Sequence, residues 1–114
     1  MGSTLSESGP GEAAVKSRLN ELTQKFVVRT TEDLALMREG LARVEAGDTT
    51  GLEQIQYLAH RACGTGGTLG LCALSDAAGA LERTIEACPT GTLPDAGQRA
   101  EIAARIEAMA AELP

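Results

Sequence analysis

Aromatic side chains are nearly missing from this chain of 114 residues, which has no Trp, one Tyr and one Phe. Ala and Leu must therefore fill the core, and helices packed closely on small side chains suit such a filling best. A basic cluster is missing as well. The formal net charge is -6 and the positive residues are scattered singly, which argues against nucleic acid or an anionic membrane surface as a partner. No stretch approaches the roughly 20 apolar residues that span a bilayer. The Gly/Ser-rich start Met1–Glu12 lacks the apolar centre of a signal peptide, so a cytoplasmic location is expected. Cys63, Cys72 and Cys88 form no CxxC pair, and an odd number does not suggest a disulfide framework. They read as small apolar residues in a reducing compartment. The glycines Gly64, Gly66, Gly67 and Gly70 are followed by no GK[ST], and Leu69 stands at the last glycine position of a GxGxxG pattern. The chain thus lacks a nucleotide site. No GxSxG is present either.

What the chain does have is helical periodicity from end to end. Val15, Leu19, Leu22 and Phe26 recur at one helix face, as do Leu34, Met37, Leu41 and Val44. Thr30 with Asp33 resembles a capping box and predicts a break between these two segments. Gly47-Asp48 ends the second. Thr50 with Glu53 is another capping-box signal, opening a helix with the stripe Leu52, Ile55, Ala59 and Ala62. Gly70 turns the chain into a helix with Leu71, Leu74, Ala78, Leu81, Ile85 and Cys88 inward, stopped by Pro89. After the loop 89–94 comes a last helix with Ile102, Ile106, Met109 and Leu113 inward. No segment alternates with period two. The expected fold is all-α: an antiparallel up-and-down four-helix bundle with an additional N-terminal helical segment. Residues 1–11 are expected to be a flexible leader and 12–114 the domain.

The single histidine is His60. At 100° per residue, it lies about 120° from the centre of its helix's apolar stripe, so it points off the core. Gln56, Gly64 and Gly67 share its face. A glycine at i+4 removes the side chain that would stand over the imidazole, at a helix-propensity cost of about 1 kcal/mol. Access to His60 is a reason to accept that cost. A lone histidine on a helix is otherwise most often a solvated surface residue. With Cys63 it forms an H-x-x-C pair, but a fourth zinc ligand is not evident, so no metal site is expected.

Residues 58–82, LAHRACGTGGTLGLCALSDAAGALE, resemble the signature of the histidine phosphotransfer (HPt) family. That signature has a phosphorylatable His, Gly at +4, a small residue at +5, Leu-Gly at +9 and +10, Leu at +14, and Leu-Glu near +21 and +22. Here these are His60, Gly64, Thr65, Leu69-Gly70, Leu74 and Leu81-Glu82. Phe26, the helix 31–46 and Gly47-Asp48 sit where the family has its earlier helices. The resemblance implies a phosphoryl carrier of a two-component phosphorelay rather than an enzyme. It would work with a receiver domain of a response regulator and a histidine kinase or hybrid kinase. Mg²⁺ would be held by the partner receiver and no cofactor by this chain. It further implies that Glu82 hydrogen-bonds His60 and orients it. If the two helices are antiparallel around Gly70, His60 lies ten residues before the turn and Glu82 twelve after it, at similar heights. Gly79 would leave further room on the Glu82 face. One position departs from the family: a Lys common at +3 is Cys63 here, with Arg61 as a neighbouring candidate for the charge. Gln56, Arg61, Cys63, Gly64, Gly67 and Gly79 are thus the expected docking and access residues. The alternative is a helical docking module of the same fold that binds a receiver or kinase without turnover.

Overall fold

The computed structural model describes the backbone of residues 3–114 and the side chains from residue 11 onward. Four helices follow one another: α1 (Ser3–Glu45), α2 (Thr50–Thr68), α3 (Cys72–Glu86) and α4 (Ala96–Ala111). No strand occurs among the described residues, so the all-α expectation holds. Helix α1 packs on α2, α2 on α3, α3 on α4, and α4 back on α1. The buried side chains are the apolar stripes: Met37, Ile55, Ala59, Ala78, Leu81, Ile102 and Met109 are sealed off completely.

Two expectations about α1 are corrected. Thr30 and Asp33 do not break it; the helix runs through both. A capping box needs an extended N-cap residue whose side chain turns back on free backbone N–H groups. Here both residues are buried against the bundle instead, and Asp33 accepts a bond from α2. The two expected segments are therefore one helix, and it begins at Ser3, inside the stretch expected as a leader. The second correction concerns the apolar face ahead of Phe26. Val15, Leu19 and Leu22 are exposed, because α1 outruns the helices that would cover them.

The connections are set by local chemistry. Gly47 (φ 99°) and Gly70 (φ 78°) adopt the left-handed conformation that glycine enters without steric penalty. Each closes a helix in the same way. Asp48 N–H bonds Arg43 C=O at 2.9 Å and Gly47 N–H bonds Val44 C=O at 3.0 Å. Likewise Leu71 N–H bonds Gly66 C=O at 2.8 Å and Gly70 N–H bonds Gly67 C=O at 3.1 Å. These are paired Schellman bonds, which satisfy carbonyls that the helix end leaves over. The start of α2 differs from expectation. Thr49 is the N-cap without a side-chain bond, and Asp48 Oδ1 accepts from both the backbone N–H and the hydroxyl of Thr50. Those bonds hold the Asp48 carboxyl below its usual value. A full capping box occurs at α4, where Asp95 Oδ1 accepts from Gln98 N–H at 2.7 Å and Gln98 Oε1 accepts from Asp95 N–H at 2.8 Å.

Small residues let α1 and α2 meet backbone to backbone. A Cβ on Gly51 would run into the carbonyl of Gly40 and stand 2.8 Å from Val44 Cγ2. Neither neighbour is the loose end of a flexible side chain. Replacing Gly51 with alanine should lower the unfolding free energy by about 2 kcal/mol or more despite alanine's better helix propensity. Urea denaturation followed by circular dichroism reads the change in midpoint.

Candidate functional site

Helices α2 and α3 run antiparallel around Gly70, and the contacts climb in register. Gly67 faces Ser75, Cys63 faces Gly79, and one turn higher His60 faces Glu82. His60 Nδ1 lies 2.7 Å from Glu82 Oε2. The histidine side chain is 75% exposed, whereas that of Glu82 is only 19% exposed. A carboxylate can only accept, so in the neutral imidazole this bond goes with the tautomer that carries its proton on Nδ1 and leaves the Nε2 lone pair free. The ring is thereby tethered at one nitrogen and open at the other.

The floor of the groove is fixed by Ser75. Its hydroxyl donates to the carbonyl of Cys63 at 2.7 Å, and Cys63 Sγ stands 3.6 Å from the Ser75 hydroxyl oxygen. Gln56, one turn before His60, is half-buried. Gly64 is exposed, and a Cβ there would meet nothing within 4 Å. Gly67 is tighter, since its Cβ would stand 3.3 Å from Ser75 Oγ. Gly79 is buried, with Cys63 Sγ and Arg83 Nη1 each 3.4 Å from the position of an added Cβ. Of the glycines expected to open the site, Gly64 alone leaves empty space; Gly67 and Gly79 allow close packing between α2 and α3.

Arg61 serves a different purpose from the one its place beside His60 suggested. Its Nη2 bonds Asp33 Oδ2 of α1 at 2.7 Å, and the guanidinium lies 5.4 Å from the centre of the Tyr57 ring. The hydrogen bond with Asp33 raises the Arg61 pKa above its ordinary value, against a smaller lowering by burial. Its charge is committed to holding α2 on α1. Residues 33 and 61 share no motif, so their pairing has no signal in the sequence. Arg83, whose tip lies against Gly79, was also missed.

Comparison with protein families matches residues 21–113 to the Hpt domain. The chain belongs to the Hpt domain family. Domains of this family are phosphoryl carriers of two-component systems rather than, as a rule, enzymes. Comparison with curated proteins and with solved structures brings no match. The Hpt match covers all of α2, α3 and α4 and the part of α1 that packs on them. No helix of the described residues is long and apolar enough to cross a membrane.

The division of labour between Arg61 and His60 can be measured. The Asp33 side chain is only 9% exposed, so Arg61→Ala strands a nearly buried carboxylate and should lower stability by about 2 kcal/mol. The chemical reactivity of His60 should stay that of wild type. Thermal denaturation and diethyl pyrocarbonate modification kinetics, run below the melting point, read the two effects separately.

Proposed function

We propose that His60 is the phosphoryl acceptor of this Hpt domain, exchanging the group with the aspartate of a receiver domain in a two-component phosphorelay. The 2.7 Å bond from the ring to Glu82, on an imidazole otherwise open to solvent, carries the reading.

Transfer follows from that geometry. Glu82 keeps the proton on Nδ1, so Nε2 presents its lone pair to the incoming phosphorus. As the N–P bond forms, the P–O bond of the aspartyl phosphate breaks, and its electron pair leaves with the receiver carboxylate. The ring becomes a phosphorylated imidazolium whose positive charge faces the Glu82 carboxylate. In the reverse direction a receiver carboxylate oxygen attacks phosphorus, the N–P bond breaks, and its pair returns to Nε2. The Nδ1 proton stays in place throughout. The acceptor aspartate, and the Mg²⁺ that neutralises the phosphoryl oxygens in such transfers, are assigned to the receiver. Among the described residues no group of three or more His, Cys, Asp or Glu side chains comes together.

Docking uses the same face. Gly64 leaves the space above the ring empty, so a partner backbone can approach Nε2. A histidine kinase or hybrid kinase stands upstream in this scheme, and the cytoplasm, where receivers work, is the assigned location.

Incubation with a phosphorylated receiver domain tests the proposal. The wild-type chain should take up acid-labile label and His60→Gln none; equal labelling of both refutes it. Binding without any label would instead mark a docking module. Glu82→Ala should remain folded and transfer more slowly by about tenfold or more, because the tautomer is no longer held. Gly64→Leu should gain helix stability, by about 1 kcal/mol, yet bind the receiver more weakly in calorimetric titration.

A further inference from the structure

A phosphoryl group on His60 brings a charge of about -2 to an exposed helix face, and a fixed cation beside it would hold that charge. The obvious neighbours do not supply one. Arg61 is bound to Asp33, and the residue one turn past His60 on the groove side is the uncharged Cys63. Arg83 is the next residue after Glu82, exposed, and in no ion pair among the described residues. Its Nη1 lies 3.4 Å from where a Cβ on Gly79 would stand, and Cys63 Sγ lies 3.4 Å from that same point. The side chain therefore folds back one turn along α3 and brings its tip against Gly79, the glycine that Cys63 of α2 also faces. On its other flank Arg83 borders Glu101 of α4 without an ion pair.

We propose that Arg83, reaching across Gly79 to the Cys63 side of the groove, is the residue that holds the phosphoryl group carried by His60. This rests on His60 being the acceptor. The glycine at 79 is what allows it, since any longer side chain there would stand between the guanidinium and α2. A planar guanidinium can offer two parallel N–H donors to phosphoryl oxygens. It thus supplies from α3 the charge that α2 lacks at residue 63.

The test uses the whole chain phosphorylated with potassium phosphoramidate and titrated by ³¹P NMR. A neighbouring cation favours the dianion, so its removal should raise the phosphoryl pKa. Arg83→Gln should raise it by about half a pH unit, and Arg83→Lys by less. Cys63→Lys placed in the Arg83→Gln chain should bring it back toward wild type, a rescue that a merely structural role of Arg83 would not give. Lys16→Gln, an exposed change on α1, should match wild type. Identical titrations of wild type and Arg83→Gln, with His60 labelled in both, overturn the assignment and leave the acceptor role intact. Failure of wild type to take label on His60 overturns the acceptor role, and this assignment with it.

Discussion

The left-handed turn at Gly70 fixes the register of α2 against α3, and the site depends on that register. Two backbone bonds, Leu71 to Gly66 and Gly70 to Gly67, lock the chain reversal. Gly66 and Gly67 then seat against Ser75, Cys63 against Gly79, and His60 meets Glu82. Because α-helical side chains project once every 100°, a slip of one residue would swing Glu82 away from the imidazole. The small residues along this seam let the helices approach closely, and the Ser75 bond to the Cys63 carbonyl fastens them.

That seam also separates two kinds of charge. On the α1 side of α2, Arg61 and Asp33 form a partly buried pair that serves packing. On the α3 side, Glu82 meets the imidazole at 2.7 Å, and Arg83 is the residue proposed to hold what the ring would carry. Helix α2 thus has one edge tied to α1 by an ion pair and another that carries the proposed site, with His60 at its exposed rim. The chain's low aromatic content fits this arrangement. A bulky ring at residue 59, 62 or 78 would push the helices apart, whereas alanine at each keeps them close.

Much of this was legible in the sequence. Apolar spacing marked the stripes Leu34 to Val44, Leu52 to Ala62, Leu74 to Ile85 and Ile102 to Met109, because a helix must bury one face and the period records which. Gly47 and Gly70 marked turns because few other residues enter the left-handed region. Residues 58–82 carried the family signature in fixed offsets, and the comparison with protein families bears that recognition out. The start of α2 was misread: Thr50 with Glu53 has the pattern of a capping box, but Asp48 was equally able to bond the free N–H and does so.

The sequence alone determined the helical class, the family and the position of one histidine off the core, since each is written in local spacing or residue type. Tertiary structure alone decided what each neighbour of that histidine does. Thr30 and Asp33 look like a helix start until α2 buries them. Val15, Leu19 and Leu22 look like core until α1 outruns its partners. Arg61 looks like the site's cation until Asp33, 28 residues away, takes it. Arg83 looks like any other surface charge until its tip is found against Gly79. Periodicity reports which face of a helix is apolar; only the packed helices establish what that face, and the charges at its edges, will meet.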